Sequence, residues 1–207
     1  MINKDIIEQS QRCQRNWDLT KSIKDEDMEL FKTAVSQCPS KQQRIWYNVV
    51  FVTNRKIIED IYSKTDKFDY PYEDWKELQK ITPGIGKTNS QTLANLLVIF
   101  NSDYDLRPKN TLDETQKDFD LSLFVGESMG IAAGYLNLTA HMLGYKTGFC
   151  AGFNKAQVDK ILGSKNSKLL MGIGYPDKTR DRKEHHLDPS YIFPSYDKEI
   201  KIRVIDD

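Results

Sequence analysis

The sequence predicts a layered fold of the α+β or α/β class, in which one β-sheet carries helices on both faces. Three observations lead to this prediction. The chain has 207 residues, which favours a single domain over residues 1–207. Hydrophobic residues make up 39% and charged residues 29%, a balance that allows both a buried core and a solvated surface. Strand patterns and helix patterns alternate along the chain, with about five of each.

The first half of the chain alternates between amphipathic helices and apolar strands. Ile2, Ile6 and Ile7 recur at helical spacing, and the acids of 25–27 stand where a helix dipole favours negative charge. Runs of β-branched and aromatic residues are typical of strands. These patterns predict helices at 2–12, 25–37, 55–62 and 73–80, and strands at 47–53 and 93–100.

The middle of the chain combines a polar stretch with the longest helical pattern. Residues 101–120 are polar and contain Pro108, which predicts an excursion of the chain that serves as a lid or cap. A helix follows at 123–144, in which Gly126, Gly130 and Gly134 recur at every fourth position. Each interior glycine costs about 1 kcal/mol relative to alanine. The stripe therefore indicates close packing against the helix backbone, either within the chain or across a subunit interface.

The last third of the chain contains two predicted strands, 146–153 and 168–175, around a helix at 155–162. The tail at 200–205 alternates between apolar and polar residues, as a half-exposed strand does. It follows a long polar connection at 177–199. The tail strand therefore pairs either with the chain's own sheet or with a partner.

Charge and cysteine content narrow the class of protein. The 30 Lys and Arg balance 30 Asp and Glu, so the net charge of zero gives no long-range attraction to nucleic acid or to an acidic membrane. The 3 cysteines are far apart and form no CxxC or Cys/His cluster, which supports neither a disulfide framework nor a metal site. The start of the chain lacks the pattern of a secretory signal, and Glu127, Asn137 and His141 interrupt the most apolar segment. We expect a reduced, cytoplasmic protein that does not span a membrane.

Four short segments carry residue types suited to a flat, phosphorylated ligand. Segment 11–15 places two arginines directly after the first helix, and guanidiniums present planar forks of donors to a phosphate. The cationic run at 178–183 suits the same kind of anion. Gly152 allows a flat ligand to approach the backbone, and segment 38–43 offers side chains that hydrogen-bond to a polar ring edge. Each segment taken alone also fits an ordinary solvated loop or turn.

A fifth segment favours a different class of protein. Residues 78–87, with Pro83-Gly84-Ile85-Gly86 among them, resemble the hairpin of helix-hairpin-helix modules, where backbone N–H groups bind a DNA phosphate. The balanced charge of the chain speaks against nucleic acid as a partner. A turn before the strand at 93–100 is the simpler interpretation, and a DNA-binding module at 78–93 stays open as an alternative.

Taken together and in order, the ligand-suited segments resemble the FMN-dependent nitroreductase family. The resemblance implies an α+β, nitroreductase-like fold with a mixed, mainly antiparallel sheet flanked by helices. It also implies a homodimer formed through the long helix, with the tail at 177–207 exchanging its strand with the partner. The segments that carry the resemblance are Arg12-Cys13-Gln14-Arg15, Pro39-Ser40-Lys41-Gln42-Gln43, Gly126 to Gly144, Ala151-Gly152-Phe153, and Ile173-Gly174-Tyr175-Pro176 with the basic run after it.

The resemblance further implies that FMN binds at the dimer interface. The arginines after the first helix and in the later basic run would hold its phosphate, and the loop at 39–43 would hold the ring and the ribityl chain, across the dimer. The backbone at 151–152 would face flavin N5, and Asn89 would face the pyrimidine edge. The implied binding residues are Arg12, Cys13, Arg15, Ser40, Lys41, Gln43, Asn89, Ala151, Gly152, Arg180 and Arg182.

The implied activity is a ping-pong transfer of two electrons from NADH or NADPH to a nitroaromatic, a quinone or a similar small organic acceptor. The flavin carries such chemistry while the protein binds and orients it, so we expect no catalytic side chain and no metal. A flavin-binding relative with another reaction, such as reductive dehalogenation or oxygen-dependent flavin cleavage, stays open. So does a dimer that holds flavin without catalysis.

Overall fold

The computed structural model of the chain describes residues 4–40, 43, 45–65, 88–102, 121–196 and 198–205. Within these residues, four strands form one open antiparallel sheet in the order β1-β2-β4-β3. The strands are β1 (Tyr47–Val52), β2 (Leu96–Ser102), β3 (Lys146–Cys150) and β4 (Ser167–Gly174). The helices are α1 (Lys4–Ser10), α2 (Asp25–Ser36), α3 (Arg55–Tyr62), α4 (Leu121–Met142) and α5 (Lys155–Leu162). The α+β fold class is thereby confirmed.

Strand β2 lies at the centre of the molecule, and all of its residues are buried. Successive side chains of a strand point to opposite faces of the sheet. Accordingly Val98 and Phe100 belong to a core shared with α2 and α4, whereas Leu97 and Ile99 belong to a second core shared with α3 and α5. The continuous apolar run of this strand is thus explained by helices on both faces of the sheet.

Most predicted elements coincide with observed ones, but the bounds of β2, β3 and α4 differ by two or more residues. Helix α4 was expected at 123–144 and spans Leu121–Met142. The strand predicted at 93–100 begins only at Leu96, because residues 90–93 form a short 3-10 turn that lies against the sheet. The strand predicted at 146–153 ends at Cys150, because Asn154 caps α5 by accepting a hydrogen bond from Gln157 N. Strand β2 also runs on to Ser102, so the first two residues of the lid predicted at 101–120 belong to the strand instead. The rest of that lid, the helix predicted at 73–80 and the hairpin at 78–87 lie outside the described residues.

The tail does not join the sheet of its own chain. Residues 198–205 form no strand, and the exposed fractions of Ile200, Ile202, Val204 and Ile205 range from 64% to 85%. The edge of β3 already pairs with another segment, since Gln14 N donates a hydrogen bond to Thr147 O at 2.8 Å. Among the described residues the tail therefore pairs with neither edge strand of its own sheet, and exchange with a partner stays a prediction.

Helix α4 buries one face and exposes its glycines. Ala132, Leu136 and Ala140 pack in the core, whereas Gly126, Gly130 and Gly134 are exposed. Apart from the adjoining backbone of α4 itself, a Cβ added at any of these three glycines would meet no atom of the described residues within 4 Å. The described part of the chain therefore does not supply the close packing that the stripe indicates. At 22 residues α4 is the longest described helix, yet none of the described helices combines the length and apolarity needed to cross a membrane.

Candidate anion-binding site

A cavity of about 450 Å³, called the arginine cavity below, lies between the segment after α1 and the C-terminal segment. Five of its lining side chains are cationic, and none of the described lining residues is acidic. A cavity of this composition concentrates positive potential and attracts an anion. The described residues that line it are Gln11, Arg12, Cys13, Arg15, Arg182, Lys183, Phe193, Pro194, Ser195, Tyr196 and Lys198.

Backbone hydrogen bonds hold the two walls of this cavity together. Arg15 N donates to Arg182 O at 2.9 Å, and the Arg182 guanidinium returns a bond from Nη1 to Cys13 O at 3.1 Å. Arg182 Nη2 also donates to Ser195 Oγ at 3.3 Å. Arginines that are far apart in sequence are therefore brought to one cavity by segment-to-segment pairing.

Arg15 is held in a defined orientation at the base of the cavity. Its Nη1 donates a hydrogen bond to Gln91 Oε1, and its guanidinium carbon lies 4.0 Å from the centroid of the Phe193 ring. Among the described residues, no protein acceptor engages Nε or Nη2 of Arg15. Those nitrogens can donate to an anion that enters the cavity.

Gln91 links Arg15 to the sheet, and sequence reasoning missed it. The side chain is only 2% exposed, and its Nε2 donates to Phe149 O at 2.9 Å and to Asn89 Oδ1 at 3.2 Å. Its oxygen is then directed toward Arg15. A buried amide that uses both its donor and its acceptor groups fixes the position of its charged partner.

Two strand glycines provide the space for Gln91. Gly148 and Gly172 stand opposite each other in the β3–β4 register. A Cβ at Gly148 would lie 2.5 Å from Gln91 Cβ, and a Cβ at Gly172 would lie 2.0 Å from Gln91 O. Glycine in a strand interior often marks a close approach of another backbone. The two interior glycines are thus the sequence signal that could have located the 3-10 turn and its glutamine.

Cys13 enters the cavity wall as a neutral thiol. Burial raises the pKa of Cys13 above its ordinary value, although the charges of Arg15 and Arg182 and an N–H from Phe149 act in the opposite direction. The thiolate is therefore disfavoured at neutral pH. Cys13 adds no negative charge to a cavity that is otherwise cationic.

Arg180 does not line the cavity, although the resemblance implied that it binds the ligand together with Arg182. Its Nε donates to Glu184 Oε2 at 2.9 Å, while Nη1 and Nη2 donate to the carbonyls of His186 and His185 at 3.0 and 2.8 Å. Arg180 thus closes the turn that carries Arg182. The structure brings only one of the two arginines to the cavity.

The loop at 38–43 lies at a second cavity of about 530 Å³, which Ser40 and Gln43 line. None of the described residues of this loop lines the arginine cavity, and Lys41 lies outside the described residues. Near this second cavity, Cys38 Sγ lies 3.1 Å from Tyr47 OH. Within one chain the predicted ring-binding loop and the predicted phosphate-binding arginines therefore form separate cavities.

Asn89 is engaged within the protein, next to the predicted flavin-facing backbone. Its Nδ2 donates to Thr65 O at 2.9 Å and to Gly152 O at 3.2 Å, and its oxygen accepts from Gln91. Gly152 is buried and Ala151 is exposed, directly after the end of β3. Asn89 thus fixes the backbone at Gly152, and its amide groups are already used.

The C-terminal segment is attached to the body of the protein through His186. Trp17 N donates a hydrogen bond to His186 Nδ1 at 3.2 Å, which requires an unprotonated Nδ1. Burial lowers the pKa of His186 below its ordinary value of 6.5. The charged groups that act on it are those of Arg180, Arg55 and His185, which lower the pKa further, and Asp177, which raises it.

The free energy of unfolding is expected to fall as the pH drops below 6.5, because the unfolded state then binds protons that His186 in the folded state resists. The measurement is urea unfolding at about pH 7.5 and about pH 5.5. His186→Asn keeps an acceptor near Nδ1 and does not titrate, so its loss of stability on acidification should be smaller. Part of the pH dependence of stability that remains in His186→Asn comes from His141, because burial lowers the pKa of His141 as well. Equal pH dependence in both proteins would contradict this assignment.

The described part of the chain holds no group of three or more His, Cys, Asp and Glu residues that could bind a metal ion. The donors gathered at the arginine cavity are guanidinium, ammonium and hydroxyl groups. Guanidiniums and ammonium groups bind anions, and phosphate in particular.

Known proteins resemble this chain in sequence pattern and in fold. The model of the nitroreductase family matches residues 9–175. Similar structures include a nitroreductase family protein from Streptococcus pneumoniae TIGR4 (14% identity, 95% of this chain and 98% of that chain, TM-score 0.63). Others are an FMN-dependent nitroreductase from Clostridium difficile R20291 (16%, 81% and 84%, 0.54) and a protein named as an NAD(P)H:FMN oxidoreductase from Staphylococcus epidermidis (16%, 86% and 90%, 0.60). At these identities the likeness shows the fold alone. No curated protein matches the chain in sequence.

Proposed function

The chain belongs to the nitroreductase family, and from this premise we propose that it is a homodimeric, FMN-dependent oxidoreductase. It passes two electrons from NADH or NADPH to a nitroaromatic, a quinone or a similar organic acceptor. The observation that carries the proposal is the convergence of Arg12, Arg15 and Arg182 on one cavity without a described acidic lining residue. The names of similar proteins, an FMN-dependent nitroreductase and an NAD(P)H:FMN oxidoreductase among them, support the same cofactors.

The residues at the cavity fit the phosphate of FMN. A phosphate monoester carries up to two negative charges and accepts several hydrogen bonds. Three guanidiniums, with Lys183 and Lys198 beside them, supply both the charge and the donors. Cys13 contributes an uncharged part of the wall. In this proposal Arg182 holds the phosphate and Arg180 shapes the turn behind it.

FMN, when bound, supplies the two-electron chemistry. The chain's part is to bind the cofactor, to orient it and to shape access for reductant and acceptor. Asn89 holds the backbone at Gly152 through the bond to its carbonyl, which keeps the end of β3 in place for the flavin ring. We assign no side chain as a catalytic acid or base.

A second copy of the chain completes the site in this proposal. The exposed face of α4 carries Gly126, Gly130 and Gly134 together with Ile131 and Tyr135, whose exposed fractions are 42% and 48%. Glycines allow another backbone to approach closely, and the large side chains beside them would be buried by it. A partner seated there would bring its own loop at 38–43 toward the arginine cavity, which joins the two cavities that one chain keeps apart.

Gly130→Arg is expected to convert a homodimer into a monomer, because the added side chain would project from the glycine face of α4. Beyond the adjoining turns of α4, the described part of one chain has no atom within 4 Å of an added Cβ there, so the monomer should still fold. Light scattering after size-exclusion chromatography gives the mass, and circular dichroism checks the fold. Thr33→Arg, on the exposed surface of α2, is the matched control and should stay dimeric. A dimeric Gly130→Arg protein would show that α4 is not the interface.

The visible spectrum of the purified protein tests the proposed cofactor. We expect flavin absorption bands and the release of FMN on denaturation, identified by mass. Oxidation of NADH and NADPH is then followed without oxygen, with and without a nitroaromatic acceptor. Colourless protein that does not take up added FMN would contradict the proposal. FMN retained without any reduction of acceptors would favour a flavin-binding relative with another reaction.

A further inference from the structure

We propose that Phe193 is a positioning residue that holds Arg15 in the orientation in which Arg15 receives the anion. The guanidinium carbon of Arg15 lies 4.0 Å from the centroid of the Phe193 ring, and Phe193 is 8% exposed. A cation over an aromatic face at this distance is attracted by the ring quadrupole, and more strongly where water is excluded. The identity of the anion as FMN phosphate rests on the proposed function.

Two contacts of different kinds hold the Arg15 guanidinium in place. The Phe193 ring supports the guanidinium carbon from one side, and the bond from Nη1 to Gln91 Oε1 fixes the direction of one of its nitrogens. All five N–H donors of a guanidinium lie in its plane. With Nη1 bonded to Gln91, the donors of Nε and Nη2 have no acceptor among the described residues and can serve a ligand in the cavity that Arg15 lines.

The Phe193 ring is itself held in place by its neighbours. It stacks on His185 with centroids 5.8 Å apart and meets Tyr191 edge-on at 5.0 Å. Its backbone N donates to Lys183 O at 2.9 Å, next to Arg182. The C-terminal segment thus delivers a cavity arginine and the platform for another cavity arginine in one folded unit.

The orientation of Arg15 can be measured without any cofactor. Ring current from a stacked aromatic shifts the Arg15 Nε–H proton upfield in a ¹H–¹⁵N spectrum. We expect this shift in the wild-type protein and in Phe193→Tyr, and its loss in Phe193→Leu. Phe31→Leu, in the core between α2 and α4, controls for the loss of a buried ring and should leave the Arg15 signal in place. An unchanged Arg15 signal in Phe193→Leu would overturn the proposal.

Binding of FMN, followed by quenching of its fluorescence, measures the consequence. Phe193→Leu should weaken binding by about 5- to 30-fold, and Phe193→Tyr should bind nearly as the wild type does. In the Arg15→Ala background, Phe193→Leu should have no further effect, because its role is exercised through Arg15. A purely structural role would lower affinity equally in both backgrounds and would contradict the proposal. If no variant and no wild-type protein binds FMN, the proposed function fails, while the Arg15 resonance still decides the role of Phe193.

Discussion

Arg15→Ala is expected to weaken FMN binding by about 10- to 100-fold. A hydrogen bond to a charged group contributes roughly 1.5–3 kcal/mol, and Arg15 presents two free nitrogens to the cavity. The mutation also leaves the buried oxygen of Gln91 without its donor, which loosens the wall next to the lost charge. Arg15→Lys keeps the charge but loses the planar fork and its contact with the Phe193 ring. Its affinity for FMN should therefore lie between that of the wild-type protein and that of Arg15→Ala.

Titration of the apoprotein with FMN measures this effect. Lys56→Ala is the matched control, since it removes one positive charge from the exposed surface of α3 and should leave affinity unchanged. The affinity of the wild-type protein should fall with added salt, and that of Arg15→Ala should fall less, because one ionic contact is gone. Wild-type affinity in Arg15→Ala would remove Arg15 from the binding site.

Local patterns in the sequence were sufficient for most of the described fold. The helices predicted at 25–37, 55–62 and 155–162 agree with the observed ones within a residue at each end, because their apolar spacing is encoded locally. Asn54 and Asn154 also cap α3 and α5 from within the local sequence. The boundary of β2 was misplaced because Leu93 and Ala94 are as buried as the strand that follows. Apolar composition alone does not distinguish a buried turn from a buried strand.

Some residues of the site could likewise be predicted from the local sequence, and others could not. The arginines of 12–15 were found from their spacing after a helix, whereas Gln91 and Phe193 reach Arg15 only through the packing of distant segments. Arg180 and Arg182 carry identical side chains and are only two positions apart in the sequence. The ion pair with Glu184 keeps Arg180 in its own turn, whereas Arg182 lines the cavity. The charge pattern of the sequence does not distinguish these two outcomes. The loop at 38–43 lies at another cavity of the same chain, and its predicted part in the site depends on the proposed dimer.

Gly172→Ala is expected to destabilise the protein by about 3 kcal/mol or more, the upper part of the range for overpacking a core. A Cβ at this position would lie 2.0 Å from the backbone oxygen of Gln91 and 3.0 Å from Ala94 Cβ. Neither neighbour is the flexible end of a side chain, and β4 is paired on both sides, so the strand cannot move away. Strand propensity alone would favour alanine over glycine by about 0.5–1 kcal/mol. A loss of stability in Gly172→Ala would therefore show that the steric clash outweighs the strand propensity of alanine, and a gain would show the reverse.

Urea unfolding of Gly172→Ala measures this loss, with Lys168→Ala as the control. Lys168 lies on the same strand with an exposed side chain, so its replacement should change stability by less than about 0.5 kcal/mol. The fraction of Gly172→Ala that stays folded must displace the backbone of Gln91, and with it the acceptor that orients Arg15. Its FMN affinity should therefore fall as well, although residue 172 does not line the cavity. Stability equal to or above that of the wild type would mean that the 3-10 turn does not lie against β4, and the account of how Arg15 is held would then be wrong.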